Sequence, residues 1–271
     1  MRGEREREKF WRAMSLWWSY RVGMQRLPDR QGDHLLCVSE RHLPVAPRDA
    51  RVHAEGQAVV IEVDQSYIVV GAPKSGKTTL VRTLVIDHLE RYPSGVALVH
   101  DVNHQFRDIC QMYETVDEYR VASRAAALSG ALFPRGAAFG CFEAAPISEL
   151  AFELGRVHND ALDVRVPIFL AYDETSMMES SGSTHVGRRD LQLSTMRRHL
   201  GISLAFNLQR QGALMQSFYS NATDVVVFAQ SNEDDVRELE KKLGLPRATL
   251  QRCIAAERFA YAHWKQGRGL V

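Results

Sequence analysis

The sequence predicts an α/β fold, a mostly parallel sheet flanked by helices, and three observations predict it. Short apolar runs, such as 96–100 (VALVH), 166–171 (VPIFLA) and 224–229 (DVVVFA), alternate with stretches of helical periodicity. Gly71, Asp101, Asp173 and Gln209 fall where these runs end, and ligands of such sheets gather at the carboxyl ends of the strands. One run leads directly into GAPKSGKTTL at 71–80, which has the spacing of a phosphate-binding loop.

The elements follow in order. Residues 1–27 are expected to form a helix, with Phe10, Met14, Trp17 and Trp18 on one apolar face. Residues 28–56 carry three prolines and no periodicity, which makes 1–56 a helix and connecting arm and 57–271 the main domain. Strands are expected at 57–63 and 66–70. Residues 77–91 pair Leu80 with Leu84 and Val81 with Val85 as a helix, and Pro93 and Gly95 end it. A strand over 96–100 follows. Two short strands, near 119–122 and 137–142, are each expected to precede a helix, the second running from Ile147 to about His158 behind Pro146. After the strand 166–171, residues 176–190 are a Ser- and Gly-rich loop ending in Arg188-Arg189. A helix to His199, strands at 202–207 and 224–229, a capped helix over 231–244 and a strand over 258–264 complete the chain.

Composition narrows the function. At 271 residues with 45% hydrophobic and 25% charged residues the chain suits one large domain with a small appendage. Its net charge of +1 sets up no global field for nucleic acid. Cys37, Cys110, Cys141 and Cys253 are far apart, which disfavours a metal knot or a disulfide framework. No apolar run has the length of a membrane span. His100, His104, His158 and His199 lack ligand spacing and read as structural.

In the loop, Gly71 and Gly76 let the backbone turn so that successive N–H groups face phosphate oxygens, those of Lys74, Ser75 and Thr79 among them. The helix beginning at Lys77 adds its positive end. Lys77 is expected to reach the β- and γ-phosphates of a nucleotide, and the Thr78 hydroxyl to bind Mg²⁺. IFLAYDET (168–175) delivers Asp173 and Glu174 to the same end of the sheet. Asp173 suits the ion, and Glu174 suits a base that polarises water; Glu174 also fits the first solvated residue after a strand. STMRRHLGISLAFNLQRQ (194–211) places Arg197 and Arg198 before a strand whose polar end carries Asn207 and Gln209. A polar side chain there can report on the γ-phosphate. The two arginines also read as a cationic helix end.

These segments in this order, GAPKSGKTT, ALVHD, IFLAYDE, RRHLGISLAFNLQRQ and SNATDVVVFAQSNEDD, closely resemble the HerA/FtsK superfamily of P-loop ATPases over roughly 57–264. The resemblance implies a RecA-like fold of the ASCE class, ATP and Mg²⁺ as cofactors, and a homo-oligomeric ring, usually a hexamer, that pumps DNA. It implies Gln209 as sensor and Arg198 as an arginine supplied in trans. Tyr172 departs from the aliphatic residue more usual before the acidic pair. The lean build looks like the genome-packaging ATPases of viruses with an internal membrane, which implies the host cytoplasm or a virion vertex. A Zot-like assembly ATPase, a cellular HerA/FtsK-type pump and a small-molecule kinase are the competing readings. The N-terminal helix, with Trp11, Trp17 and Trp18, suits docking to a capsid, a membrane or its own domain.

Overall fold

The computed structural model describes residues 64–129, 134–141, 144–161, 166–173, 188–209, 216–230, 232–244, 248, 261–266 and 269–270. The expectations for 1–63, for Glu174 and for most of the 176–190 loop lie outside them.

β1 (Ser66–Val70) leads through the phosphate loop into α1 (Lys77–Arg91) and then β2 (Val96–Asp101). β3 (Gln111–Tyr113), α2 (Val116–Ser129), β4 (Gly136–Phe139) and α3 (Ala145–Ala161) follow. β5 (Ile168–Asp173), α4 (Arg188–Leu200), β6 (Ile202–Leu208), α5 (Gln216–Asn221), β7 (Asp224–Phe228), α6 (Glu233–Leu243), β8 (Tyr261–Lys265) and β9 (Gly269–Leu270) complete the order. Among the described residues nine strands form one sheet, ordered β3-β4-β2-β5-β6-β1-β7-β8-β9. The strands from β3 to β7 in that order run parallel, whereas β8 pairs antiparallel with β7 and β9 antiparallel with β8.

Alternation along the strands divides the core between two faces. Tyr67 and Val69 of β1 pack with Phe169 and Ala171 of β5 against Val81, Leu84 and Val85 of α1. Ile68, Val70, Leu170 and Tyr172 pack on the other face against α2 to α6, where Tyr119, Ile147, Leu193, Phe218 and Val236 are buried. The central strands are buried on both faces, which is why they read as unbroken apolar runs. The C-terminal end of α1 is held by Arg135, which donates to the carbonyls of Leu89, Tyr92 and Gly95 and so satisfies acceptors that a helix end leaves open.

One expected strand is a helix. Residues 119–122 lie within α2, because burial there follows a helical period: Val116 and Tyr119 are buried whereas Val121 is 69% exposed. The helix start was visible as Thr115-x-x-Glu118. The Thr115 hydroxyl accepts from the Glu118 N–H at 3.2 Å, and the Glu118 carboxylate accepts from the Glu114 N–H at 2.9 Å. The strand belongs earlier, at β3. α3 begins at Ala145, with Pro146 in its first turn, where a missing N–H costs nothing. α6 is capped as expected: Asn232 accepts from the Asp234 N–H at 3.0 Å, and Gly244 ends it at φ 66°.

Candidate nucleotide site

The site is built where β1, β5 and β6 end side by side. β1 gives way at Gly71, whose N–H donates to the Leu208 carbonyl at 3.2 Å, and Ala72 donates to the Ala229 carbonyl at 2.7 Å. The loop is thereby tied to β6 and to the end of β7. Gly71 is obligatory on space alone: a Cβ there would stand 2.6 Å from Phe228 Cβ and 2.8 Å from Ser75 Oγ. Gly76 turns the chain into α1 at φ 114°, and Lys74 also has a positive φ of 63°. Lys77, the first residue of α1, is buried, and its ammonium donates to the Ala72 carbonyl at 2.8 Å across the mouth of the loop. Ser75 is buried beneath the loop, and Thr79 is exposed.

Thr78, Asp173 and Asn207 meet in front of the loop. The Thr78 hydroxyl donates to Asp173 Oδ1 at 3.1 Å. Asn207 Nδ2 donates to the same oxygen at 2.5 Å and to Thr78 Oγ1 at 3.2 Å. Asp173 is 2% exposed, and a carboxylate so buried needs this donor set to stay in place. A hydroxyl and a carboxylate side by side are hard oxygen ligands of the kind Mg²⁺ accepts when phosphates and water complete its shell. Among the described residues no group of three His, Cys, Asp or Glu side chains stands ready to hold an ion alone. Thr78 and Asp173 therefore fit Mg²⁺ bound together with a nucleotide.

Gln209 and Asn207 share a face of β6, and the chain brings Asn207 onto Asp173. Gln209 lies one residue past the strand and is exposed. Sequence reasoning had both residues in view, but only the depth of the strand distinguishes them. Arg198 is exposed near the end of α4. Arg197 is buried and donates to the carbonyls of Asp64 at 3.0 Å and Ser194 at 2.6 Å. The pair Arg188-Arg189 opens α4 instead of ending a loop. Arg189 makes a two-pronged bond to Glu149, at 2.5 and 3.0 Å, and its guanidinium lies 3.9 Å over the Phe152 ring. The Arg189 guanidinium thus ties α4 to α3.

Asp101, at the end of β2, is a turn anchor. Its carboxylate accepts the N–H groups of Gln105 and Phe106, both at 2.8 Å. The turn is fastened to α1 by Arg82, which pairs with Asp108 at 2.5 Å and holds that carboxyl below the usual carboxylate range. Between turn and helix runs an open cleft of about 640 Å³, lined by Thr78, Thr79, Arg82, Asn103, His104 and Asp108 among others.

No protein-family model matches the sequence, and no curated protein does. Solved structures do. The genome-packaging NTPase B204 of Sulfolobus turreted icosahedral virus 2, in complex with AMP, superposes at a TM-score of 0.58 with 15% identity, over 77% of this chain and 96% of that chain. The DNA-packaging ATPase B204 of Sulfolobus turreted icosahedral virus gives 0.56 at 14%, over 76% and 94%. VirB4 of Thermoanaerobacter pseudethanolicus gives 0.51 at 12%, over 76% and 88%. These likenesses show a shared fold, and the chain, with its phosphate loop after β1 and Asp173 at the end of β5, has the α/β RecA-like P-loop fold of these ATPases.

Proposed function

We propose that this chain is a Mg²⁺-dependent ATPase that drives DNA through a ring of identical subunits, a hexamer, and packages a viral genome into a preformed capsid. The observation that carries this reading is the cluster of Thr78, Asp173 and Asn207 beside the phosphate loop, on a fold that also serves a genome-packaging NTPase.

The chain's residues divide the work. Gly71, Lys74, Ser75, Gly76 and Thr79 shape the loop, and its N–H groups bind the phosphates of ATP. Lys77 leaves the Ala72 carbonyl for the β- and γ-phosphates. Thr78 and Asp173 hold Mg²⁺, which when bound neutralises charge across those phosphates. Asn207 keeps Asp173 turned toward Thr78. Glu174 takes a proton from water as its oxygen bonds to the γ-phosphorus and the bond to the β–γ bridging oxygen breaks, releasing ADP and phosphate, and Gln209 registers whether the γ-phosphate is present. Arg198 reaches the nucleotide of the next subunit. DNA is held through its backbone, because a packaging motor must accept every sequence. The N-terminal helix docks to the capsid vertex or its internal membrane, and the working place is the host cytoplasm or the virion vertex.

The test is ATP turnover with and without double-stranded DNA of unrelated sequences. Packaging predicts stimulation by every DNA, weakening as salt rises. Turnover indifferent to DNA would favour an assembly ATPase, and phosphate transferred to a small acceptor would favour a kinase.

A further inference from the structure

On the face of the sheet opposite the nucleotide site, three buried polar side chains meet. Tyr172, one residue before Asp173, is fully buried, and its hydroxyl donates to Asp190 Oδ1 at 2.7 Å. Ser148 of α3 donates to the same oxygen at 2.5 Å and lies 2.9 Å from the Tyr172 hydroxyl. Asp190, in the first turn of α4, is 2% exposed. Burial, and then the charge of Asp190, push the Tyr172 hydroxyl well above 10, so it remains a protonated donor throughout the working pH range.

An apolar residue at 172 would fill this core without the desolvation cost of three polar groups. What the polar atoms add is direction, because a hydrogen bond fixes distance and angle where apolar contact does not. The placement shows what is being fixed. Consecutive residues of a strand point to opposite faces, so whatever sets the position of Tyr172 sets that of Asp173. The same holds one strand over. Tyr172 is in register with Phe206, and the rings stack at 5.1 Å and 7°. Phe206 immediately precedes Asn207. An aromatic pair on one face therefore backs the Asp173–Asn207 pair on the other. β5 ends at Asp173 and α4 begins at Arg188, so the Tyr172–Asp190 bond ties the end of one to the start of the other. Arg189 and Glu149 repeat the α3–α4 tie at the half-buried rim.

We infer that Tyr172 and Asp190 are positioning residues for ATP hydrolysis, a buried clasp that locks the metal-holding strand β5 to the helix that presents Arg198. Ser148 braces the carboxylate from α3, beside the strand–helix tie that Tyr172 and Asp190 make directly. The inference rests on the ATPase reading above, and the clasp acts only through Asp173 and α4.

The test compares Tyr172→Phe, Asp190→Asn and Ser148→Ala with the parent chain. Tyr172→Phe keeps the ring stack and removes only the hydroxyl. It should lower kcat by about tenfold or more, with the KM for ATP and metal-free nucleotide affinity within about twofold of the parent. The tightening of nucleotide binding by Mg²⁺ should shrink in parallel, since Asp173 is no longer held. Asp190→Asn keeps an oxygen acceptor for the tyrosine and should retain most of kcat. Ser148→Ala should lower the melting temperature while kcat survives. A Tyr172→Phe protein with parental kcat and parental Mg²⁺ response overturns the inference. So does a kcat loss that merely follows the melting temperature across all three variants. A parent chain that binds and turns over no ATP overturns the functional reading along with the clasp, whereas turnover in the parent with an indifferent Tyr172→Phe overturns the clasp alone.

Discussion

Replacing Asn207 by alanine removes two hydrogen bonds at once, and the structure allows the effect to be sized. One goes from Nδ2 to the buried Asp173 carboxylate at 2.5 Å, the other to Thr78 Oγ1 at 3.2 Å. A bond to a charged group contributes about 1.5–3 kcal/mol and a neutral one about 0.5–1.5 kcal/mol. Water can enter the space left by the amide and recover part of this, so about 2–3 kcal/mol is a working figure. At about 1.4 kcal/mol per tenfold, kcat should fall about 30- to 150-fold if the bonds matter in the transition state. Nucleotide affinity without Mg²⁺ should not change, because Lys77 and the loop amides stay in place. Asn207→Asp is the sharper companion. It sets a second carboxylate against Asp173, and like charges so close resist ionising together. Phosphate release under saturating ATP, with fluorescent-nucleotide titrations with and without Mg²⁺, reads both variants. A kcat for Asn207→Ala within twofold of the parent would refute the reasoning, and Gln209 would become the residue to replace.

Other perturbations separate the roles further. Lys77→Ala should abolish nucleotide binding, whereas Glu174→Gln should bind ATP and fail to hydrolyse it; unimpaired turnover by the second removes Glu174 from the chemistry. Arg189→Ala should cost about 1 kcal/mol of stability, from a half-exposed ion pair and its aromatic contact, and leave the salt dependence of DNA binding intact. His88 is fully buried, and burial pulls it down from the ordinary 6.5 to about 4. The unfolded chain therefore binds a proton between those values that the folded chain refuses. Stability should be unaffected above pH 6.5, fall as pH drops through the window, and lose roughly 3 kcal/mol by its lower end. Urea midpoints at pH 7 and 4.5 should converge in His88→Leu.

The phosphate loop and its helix were legible because local chemistry dictates them. Gly76 starts α1 and Pro93 with Gly95 stops it, so Lys77–Arg91 was bounded on both sides. Asp173 was legible because an apolar strand that ends in a carboxylate marks the ligand-binding end of a parallel sheet. Asn207 was not, since two polar residues on one face of a strand differ only in depth, and depth is set by the register Val69↔Asn207 with β1. Residues 119–122 misled because tyrosine and valine favour strands, while the capping pattern beginning at Thr115 carried the better signal. Tyr172 stood out in the sequence only as an unusual choice. Its partner is 18 residues away and Ser148 is 24, contacts that no local pattern encodes. The short elements α5 and β9 gave no periodicity to read.

The two arginines before β6 show what a fold adds to a motif. Sequence placed Arg197 and Arg198 side by side before β6, and the resemblance implied Arg198 as the one that reaches a neighbouring subunit's nucleotide. Helical geometry turns adjacent residues about 100° apart, so both cannot face the same way. Arg197 is turned inward: it is 5% exposed, its guanidinium binds the Asp64 and Ser194 carbonyls, and it fastens the C-terminal end of α4 as Asp190 fastens the other. Arg198 is left exposed on a helix pinned at both ends, which is how a side chain is held at a set reach. Arg198→Ala should therefore cost on the order of 10³ or more in turnover if it acts in trans, with melting temperature unchanged. Arg197→Ala should lower the melting temperature by removing two bonds from a charged donor. Mixing Arg198→Ala with Glu174→Gln chains should restore activity, because some interfaces then join an intact Glu174 to an intact Arg198. If co-assembled mixtures stay dead at every ratio, the trans role fails for Arg198, and it does not pass to Arg197, whose guanidinium is already committed inside its own subunit.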